Sequence, residues 1–427
     1  MKILLVGSGG REHALAWALA QSENCDELYC APGNAGIESC ADLVDIAAED
    51  VDGLLKFAKH NAIDLVVVGP EAPLVLGLAD KLKAAGIDVF GPSQKAAQLE
   101  GSKGFTKDLC KKYNIPTAAY ERFTDFEAAK AYIENVPHDI VVKADGLAAG
   151  KGVIISKSKD EAIEAAKEML SGASFGEAGT SIVIEQFLDG EELSYFALAD
   201  GNTILPLTSA QDHKRAFDGD EGPNTGGMGA FSPAHLINPE LEEKIIHRII
   251  QPTVEGMKAE GMPFTGVLFA GIMVVDNEPY LIEHNVRFGD PECQTLMVRL
   301  QGDLLKILHA AAQGRLSEVK GQISWAENKA MCVVMAAKGY PGSYAKNTVI
   351  HNIKESDNID NTIVFHAGTA KNENGDLVNT GGRVLGVTAT GENLGHAKRL
   401  AYEAIDSITW PEGFCRRDIG WRALEGT

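Results

Sequence analysis

Hydrophobic positions in the first hundred residues form short continuous runs, separated by stretches in which they recur every three or four residues. The continuous runs predict buried strands at residues 2–6, 27–31, 65–68 and 88–90. The periodic stretches predict helices at residues 11–21, 50–61 and 76–85. Strands that alternate with helices in this way favour a doubly wound parallel sheet, in which ligands bind beyond the carboxyl ends of the strands.

Beyond about residue 101 the apolar runs are separated by glycine-rich segments. Ser102 is expected to cap a helix that continues to about Tyr113, because a serine side chain can accept a hydrogen bond from a free N–H of the first turn. Further strands are predicted at residues 140–143, 153–155, 181–186, 193–199, 267–275 and 279–285. Helices are predicted at 158–171 and 292–313, and a long functional loop at 211–231.

The last hundred residues indicate a β-rich region that starts at about residue 328 and includes a final helix at 393–408. A chain of 427 residues is too long for a single hydrophobic core, so three domains are expected. We place them at residues 1–101, 102–327 and 328–427, with a smaller lobe at about 120–190. The predicted fold class is α/β.

Composition and net charge disfavour several classes of binding partner and of site. The formal net charge of −21 disfavours nucleic acid and anionic membranes. No apolar run approaches the roughly 20 residues that span a bilayer, and the opening residues fit a first strand better than a signal peptide. The seven cysteines include no C-x-x-C pair, which argues against a disulfide frame or a zinc site. A cytoplasmic enzyme that acts on small molecules is expected.

Glu283, Asn285 and Arg287 carry the sharpest chemical signal. Alternate side chains of a strand point the same way, so all three are expected on one face. Oxygen ligands suit Mg²⁺ that is shared with nucleotide phosphates, and a guanidinium grips a carboxylate or phosphate through two parallel hydrogen bonds. The pattern predicts a metal–nucleotide site beside an anionic substrate, as in an ATP-driven ligase. A solvated hairpin edge is the alternative.

The glycine loop after the first strand does not match a dinucleotide fingerprint. G-x-G-x-x-G requires a third glycine where this chain has Glu12, and the second strand does not end in an acidic residue. These departures disfavour NAD. Backbone N–H groups at the start of the following helix can still hold a phosphate, and a plain strand-to-helix turn is the other interpretation.

A second glycine loop follows the predicted strand that ends in Lys143. It is not a P-loop, because only three residues separate Gly146 from Gly150 and Gly152 takes the place of Ser or Thr. A glycine-rich loop between antiparallel strands instead predicts a flap over a triphosphate, to which Lys151 adds positive charge. Lys143 is expected to point into the same site, and a surface-exposed lysine is the alternative.

Two further segments are candidates for ligand contacts. Residues 185–188 leave an apolar strand and offer backbone groups to an adenine edge, although a structural edge strand would have the same sequence. Residues 212–215 lie in the glycine-rich stretch, where the backbone can approach a ligand closely. The histidines His13, His213 and His284 are not spaced as a metal set and are expected to form ordinary hydrogen bonds.

Taken together, these motifs resemble the ATP-grasp superfamily and, within it, the phosphoribosylamine–glycine ligase family. The matching segments are residues 7–14, 32–36, 68–74, 101–103, 143–152, 211–215, 222–230, 287–292, 366–369 and 417–422. The resemblance implies an N-terminal doubly wound domain, a central two-lobed ATP-grasp region and a C-terminal β-rich domain. It also implies that ATP, glycine and 5-phosphoribosylamine give glycinamide ribonucleotide, ADP and phosphate through a glycyl phosphate, in purine biosynthesis.

The resemblance implies a role for each candidate residue. The ATP site would include Lys103, Lys143, Glu185, Leu188 and Glu192. The ligands of Mg²⁺ or Mn²⁺ would be Glu283 and Asn285. Phosphoribosylamine would face Gly9, Gly10 and Glu71. Glycine and phosphate would be handled by the catalytic residues Asp212, Lys214 and Arg287.

We call the predicted strand that contains Glu283 and Asn285 the metal strand. Three residues on or near it, His284, Cys293 and Thr295, depart from the family pattern and bear on the fine geometry of the site. Another ATP-grasp carboxylate–amine ligase or a carboxylase stays open as an alternative, as does a catalytically silent nucleotide-binding regulator. A monomer is expected. A transient contact with the enzyme that makes phosphoribosylamine stays open.

Overall fold

Five parallel strands form the first sheet in this computed structural model, which describes residues 1–146, 152–171, 180–356 and 358–425. From edge to edge they are Asp42–Leu43, Glu27–Pro32, Lys2–Gly7, Leu65–Val68 and Asp88–Phe90. The helix Gly10–Leu19 packs on one face, and the helices Val51–His60 and Leu78–Ala84 pack on the other. The predicted doubly wound sheet is confirmed, with the first strand of the chain, Lys2–Gly7, at its centre.

A smaller sheet of four antiparallel strands follows. Its order is Tyr120–Phe123, Ile182–Gln186, Ile140–Ala144 and Val153–Ser156. The helices Phe126–Asn135 and Lys159–Leu170 pack on this sheet through small and aliphatic side chains. Ser158 caps the second helix by accepting a hydrogen bond from the Glu161 N–H. The strands predicted at 140–143 and 153–155 and the helix predicted at 158–171 are confirmed.

A large mixed-length sheet joins the central and C-terminal parts of the chain. Its strands run in the order Glu278–Asn285, Thr265–Val275, Glu191–Asp200, Ile204–Asp212, Gly229–Ser232, Lys329–Ala337, Arg383–Gly391 and Thr362–His366, and Gly413–Phe414 also pairs with Lys329–Ala337. The sheet therefore continues across the domain boundary that we predict at residue 327. The hairpin predicted at 267–275 and 279–285 is confirmed.

Two of the predicted elements are wrong. The stretch 211–231 is not one long loop, because Arg215–Phe217 and Glu221–Asn224 pair as a hairpin and Gly229–Ser232 joins the large sheet. The single helix predicted at 292–313 is two helices, Glu292–Met297 and Leu304–Ala312, which flank a short strand. Gly302 between them has a φ of +127°, which a helix does not accept.

The remaining helices support the sheets from outside. Ser102 caps the helix Lys103–Tyr113 as predicted, and Asn393 caps Leu394–Ser407, which confirms the last predicted helix. The helix predicted at 76–85 is confirmed as Leu78–Ala84, and a separate short helix, Ala72–Val75, precedes it. Other helical segments are Gln98–Gly101, Pro239–Ile245, Ile246–Ile250 (a π-helical turn), Gln251–Ala259, Ile353–Ser356 and Trp421–Glu425.

The hydrophobic cores tie the regions to one another. One cluster joins apolar side chains of the first sheet, such as Leu4 and Val66, to side chains of the large sheet, such as Leu193 and Leu268. This shared core fixes the first sheet and its helices against the large sheet. Among the described residues, no helix combines the length and apolarity that a membrane span requires.

Candidate active site

Lys107, Lys143 and Glu185 form a buried ion cluster where the smaller sheet meets the helix Lys103–Tyr113. The Lys143 Nζ lies 2.9 Å from Glu185 Oε1, and the Lys107 Nζ lies 2.8 Å from Glu185 Oε2. Lys143 and Glu185 are diagonal neighbours on two adjacent antiparallel strands, so their side chains share a face. All three side chains are almost fully buried, which excludes the surface-exposed lysine considered for Lys143.

Ion pairs with two lysines determine the direction of the pKa shift of the Glu185 carboxyl. Burial acts to raise the pKa of its carboxyl, but Lys143 and Lys107 outweigh burial and hold that pKa below its ordinary value. Both carboxylate oxygens are therefore engaged by lysines. Glu185 therefore fixes the position of Lys143 at the site.

Asp145 ties the start of the second glycine loop to the N-terminus of the helix Lys103–Tyr113. Its Oδ1 accepts hydrogen bonds from the Gly104 N–H at 2.7 Å and from the Ser102 Oγ at 3.0 Å. Its Oδ2 accepts one from the Ser181 Oγ at 2.7 Å. Burial acts to raise the pKa of Asp145, but these donors lower it, as expected for a carboxylate at a helix N-terminus.

Lys103 reaches from this helix to the glycine loop. Its Nζ donates a hydrogen bond to the Gly146 carbonyl at 2.9 Å. On the other side of the loop, the Gly152 carbonyl accepts a hydrogen bond of 2.8 Å from the last residue of the preceding strand. Gly150 and Lys151, which we assign to the flap, lie outside the described residues.

Glu283 and Asn285 point into a cleft that several cations surround. They lie two residues apart on the edge strand Glu278–Asn285 of the large sheet, opposite Gly271 and Phe269. Burial acts to raise the pKa of Glu283, but Lys214, Lys143 and Lys103 lower it. The strand periodicity therefore brings the two candidate ligands together with the lysines, as the sequence predicts.

The donor set fits a divalent cation that is shared with a nucleotide. In the described part of the chain, the Glu283 carboxylate and the Asn285 amide have no ion-pair or hydrogen-bond partner. The described residues also contain no group of three or more His, Cys, Asp and Glu side chains that could enclose a metal. One carboxylate and one amide oxygen, completed by phosphates and water, is a common way for proteins to bind Mg²⁺.

Lys214 forms the opposite wall of this cleft. It forms an ion pair with Glu192, which lies at the start of a neighbouring strand. Burial acts to lower the pKa of Lys214, but Glu192, Asp212 and Glu283 raise it well above its ordinary value. Burial raises the pKa of Asp212 to about 7, while Lys214 opposes that shift. Glu192, which the resemblance assigns to ATP, is thus also a direct partner of Lys214.

Leu188 lies half-buried in the short connection from the smaller sheet to the large sheet. The preceding residue Phe187 donates its N–H to the Asp139 carbonyl at 2.9 Å, which anchors the connection to the smaller sheet. This connection is close in sequence to both Glu185 and Glu192. It therefore joins the strand that contains Glu185 to the strand that contains Glu192.

Arg287 contacts the N-terminal region instead of continuing the metal-ligand face. The strand ends at Asn285, so the alternation used to predict its direction does not reach Arg287. Its Nε lies 3.0 Å from Glu71 Oε2, and its Nη2 lies 2.9 Å from Glu100 Oε1. Burial acts to lower the pKa of Arg287, but Glu100 and Glu71 raise it. The guanidinium is a fixed, charged bridge between two regions.

A cavity of about 310 Å³ opens between the first glycine loop and the C-terminal region. Its walls come from the first glycine loop, from the segment after Arg287 and from the C-terminal region, and include Gly9, Asn34, Asp290, Tyr340, Thr369 and Arg383. The volume lies at the low end of the range for small-molecule sites. The predicted ligand position beyond the strands of the first sheet thus coincides with a cavity.

The three residues that the resemblance assigns to phosphoribosylamine lie in different surroundings. Gly9 lines the cavity, and a Cβ there would lie 2.9 Å from Glu12 Oε2. Gly10 is buried against Gln294, where a Cβ would lie only 2.5 Å from the amide nitrogen. Glu71 is paired with Arg287. Close packing therefore accounts for Gly10, and only Gly9 of the three borders the cavity.

The histidines form ordinary hydrogen bonds, as predicted. His13 Nδ1 accepts a hydrogen bond from the His366 N–H at 2.7 Å, and burial lowers the pKa of His13 to about 3. His284, one of the departures from the family pattern, lies 3.0 Å from Thr253 Oγ1 in the core behind the metal strand. Cys293 and Thr295 are buried too. All three departures are therefore buried side chains.

Sequence reasoning missed several residues that shape the site. Lys107 follows Lys103 by one helical turn, and this spacing could have indicated it. Asp145 lies inside the glycine-rich segment 143–152, but its sequence context does not indicate which groups it would bind. Glu100 and Arg383 carry no local signal, because their partners are distant in sequence; Arg383 donates hydrogen bonds to the Gly226, Gly227 and Asp290 carbonyls.

Comparison with known proteins agrees with this architecture. Family models of phosphoribosylglycinamide synthetase match the chain as an N domain at residues 1–100, an ATP-grasp (A) domain at 101–293 and a C domain at 330–422. The phosphoribosylamine–glycine ligase of Brucella melitensis is 57% identical over 425 residues, which cover 100% of this chain and 99% of that protein.

Solved structures give the same result. The crystal structure of the Thermotoga maritima phosphoribosylamine–glycine ligase is 34% identical, with a TM-score of 0.83 over 98% of this chain and 100% of that chain. The biotin carboxylase domain of Hydrogenobacter thermophilus 2-oxoglutarate carboxylase, a complex with MgADP, is similar in fold alone, at 16% identity and a TM-score of 0.74 over 97% of this chain and 91% of that chain. The chain belongs to the phosphoribosylglycinamide synthetase family of ATP-grasp ligases.

Proposed function

We propose that the chain joins glycine to 5-phosphoribosylamine in a reaction driven by the conversion of ATP to ADP and phosphate. The product is glycinamide ribonucleotide, an intermediate of de novo purine biosynthesis. One observation carries the proposal beyond the family relationship. A single segment, residues 283–290, contains the candidate metal ligands Glu283 and Asn285, the bridge Arg287 and the cavity residue Asp290. The nucleotide phosphates and the sugar amine would therefore bind near the two ends of one short segment.

ATP binds between the smaller sheet and the large sheet. Lys103 and Lys143 face the phosphates, and the Glu185–Lys107 pair holds Lys143 in place. The connection that contains Leu188 contacts the base. A flap assigned to Gly146, Gly150, Lys151 and Gly152 would exclude water from the reaction, and Gly150 and Lys151 lie outside the described residues.

Glu283 and Asn285 would hold the divalent cation, Mg²⁺ or Mn²⁺, because carboxylate and amide oxygens that share nucleotide phosphates suit both ions. When bound, the cation neutralises charge on the transferring phosphoryl group. Lys103, Lys143 and Lys214 add fixed positive charge around the same group, since all three influence Glu283.

Glycine is activated first. Its carboxylate oxygen attacks the γ-phosphorus, the bond between the γ-phosphorus and the ADP oxygen breaks, and glycyl phosphate and ADP result. Lys214 is suited to the glycine carboxylate, and the Asp212 carboxylate is suited to the glycine ammonium group. Arg287 is held by Glu71 and Glu100 and fixes the geometry beside the transferring phosphoryl group.

Amide formation completes the reaction. The amine of phosphoribosylamine, bound in the cavity beside Gly9, attacks the acyl carbon of glycyl phosphate. The acyl carbon–oxygen bond breaks, inorganic phosphate leaves with the bonding electron pair, and the amine nitrogen loses a proton. All of the groups in this mechanism come from one chain, so we propose that the protein acts as a monomer. We also propose a cytoplasmic location and domain boundaries at residues 101 and 327.

An omission assay tests this function. ADP release is measured with Mg-ATP, glycine and freshly generated phosphoribosylamine, and then with each one left out. Full release should require all three. ADP release that depends on bicarbonate instead of glycine would favour a carboxylase, a reaction that the fold alone also allows; no release under any condition would favour a silent nucleotide-binding protein.

A further inference from the structure

A segment near the C-terminus holds the hairpin that follows Lys214. We call residues 416–422 the C-terminal clasp and residues 213–224 the Lys214 hairpin. Arg416 is fully buried between them. Its guanidinium lies 2.9 Å from Asp220 Oδ1 and 2.8 Å from Asp418 Oδ1, and its Nη1 donates a hydrogen bond to the Arg215 carbonyl at 3.1 Å.

Further polar contacts surround this buried arginine. The Gly219 N–H donates to Asp418 Oδ2 at 2.8 Å, and the Arg417 N–H donates to Asp218 Oδ1 at 2.8 Å. The Arg422 Nη2 lies 2.7 Å from Asp220 Oδ2. Charge-assisted and bidentate contacts of this kind fix geometry more strongly than neutral hydrogen bonds do.

The clasp also reaches the residue between Asp212 and Lys214. The Gly420 N–H donates a hydrogen bond of 3.0 Å to His213 Nε2, so this nitrogen is an acceptor and the imidazole is neutral. Burial lowers the pKa of His213 to about 4, which agrees with a neutral ring. The clasp therefore contacts the side chain that lies between the two candidate catalytic residues, while the His213 backbone pairs with Gly229 and Met228.

Apolar packing contributes little to the placement of the hairpin. Phe217 is 50% exposed, and most of the strand Glu221–Asn224 is exposed. On its inner side the hairpin is closed by Thr225, whose N–H and Oγ1 donate to the Lys214 carbonyl at 2.7 Å and 2.9 Å. The polar contacts with the clasp therefore determine where the outer half of the hairpin lies.

We propose that the C-terminal clasp positions Lys214 and Asp212 for glycine, and that Arg416 and Asp220 are positioning residues of the ligase. The proposal rests on the function proposed above for Lys214 and Asp212. It gives a role to the segment 417–422, which matches the family pattern but contributes no group to the cleft. Neither Arg416 nor Asp220 touches a substrate in this account.

The first test compares Asp220→Asn and Arg416→Lys with a matched control. Asp220→Asn removes one charge at a partly exposed position and keeps the shape of the side chain. Both variants should lower kcat/KM for glycine by about tenfold or more, because small misplacements of an orienting group reduce rates strongly. The KM for ATP should stay within about twofold, since the lysines of the nucleotide site lie on other elements.

Arg417→Lys is the control. Arg417 is the next residue in the chain, but its side chain lies 2.7 Å from Asp406 on the helix Leu394–Ser407 and not on the hairpin. This variant should keep the kinetics of the parent. Hydrogen exchange should become faster across residues 215–224 in Asp220→Asn and stay unchanged in Arg417→Lys. A lower Tm with unchanged kinetic constants for glycine would mean a purely structural role and would overturn the proposal.

A double variant separates this proposal from the proposed function. If the clasp acts through Lys214, Asp220→Asn should have little further effect on glycine kinetics in the Lys214→Ala background. If Lys214→Ala itself leaves kcat/KM for glycine unchanged, the assignment of Lys214 fails. If Lys214→Ala lowers it and the clasp variants do not, the clasp proposal alone is overturned.

Discussion

The Arg287 Nε lies 3.0 Å from Glu71 Oε2, although 216 positions separate the two residues in the chain. The contact joins the end of the metal strand to the loop after the fourth strand of the first sheet. With Glu100 on the other side, the guanidinium is gripped by two carboxylates. Arg287 is therefore fixed before any substrate arrives.

The Arg287→Lys variant tests this fixed geometry. Lysine keeps the positive charge but cannot bridge Glu71 and Glu100 with a planar fork. We expect kcat/KM for glycine or phosphoribosylamine to fall by about tenfold or more, while the dissociation constant of ATP changes little. Steady-state kinetics and calorimetric titration with ATP check the two halves of this expectation. A loss confined to ATP binding would move Arg287 to the nucleotide site.

Glu283→Ala should give a folded protein with at least about a 100-fold lower kcat, because a bound cation supplies several kcal/mol of charge stabilisation. The control is Glu278→Ala on the same strand, where the carboxylate instead pairs with Lys244. Turnover at saturating Mg²⁺ and the Tm are measured for both. Activity of Glu283→Ala within a few-fold of the parent would remove Glu283 from the metal site.

The buried cluster predicts a specific acid dependence of stability. The folded-state pKa of Glu185 lies below its ordinary value of 4.5, so its contribution to stability is present above pH 4.5 and is lost as the pH falls through the lowered value. Glu185→Gln should be less stable by about 3–5 kcal/mol at pH 7, because two lysines lose their counter-charge. Urea unfolding between neutral and acid pH should show this difference shrinking below pH 4.5.

The exposed Glu240→Gln is the control for that experiment, since the Glu240 side chain is 68% exposed. It should be nearly neutral throughout. A stability difference for Glu185→Gln that stays constant at acid pH would mean that the Glu185 carboxylate is not the charged partner of Lys143 and Lys107.

Arg383→Lys tests the cavity. The Arg383 guanidinium contacts the Asp290 carbonyl and so joins the C-terminal wall of the cavity to the wall that contains Asp290; it also contacts the carbonyls of Gly226 and Gly227. A lysine can satisfy only part of this set, so we expect about a tenfold rise in the KM for phosphoribosylamine and weaker binding of glycinamide ribonucleotide. The KM for glycine serves as the internal reference. An equal change in both KM values would argue against a cavity specific for the sugar.

Local patterns predict the parts of this site that lie within one element. The pairing of Glu283 with Asn285 follows from strand periodicity, and the cap at Ser102 follows from its side chain. The parallel sheet follows from the alternation of strands and helices. In each case the information lies within a few residues of the feature.

Contacts between distant elements could not be predicted in this way. The partners of Arg287 depend on how the first sheet packs against the large sheet, and the partners of Glu185 depend on strand register. The hairpin within 211–231 was missed because Glu221–Asn224 is polar and exposed and shows no apolar alternation. The break at Gly302 was missed because the apolar spacing continues through it.

The fate of the glycine carboxylate oxygen tests the central claim most directly. Attack of glycine on the γ-phosphorus transfers one carboxylate oxygen to the phosphate that is later displaced by the amine. Glycine labelled with ¹⁸O in its carboxylate should therefore give inorganic phosphate with one label per turnover, measured by mass spectrometry. Unlabelled phosphate formed together with glycinamide ribonucleotide would mean that another group attacks ATP first, and the glycyl phosphate mechanism would be contradicted.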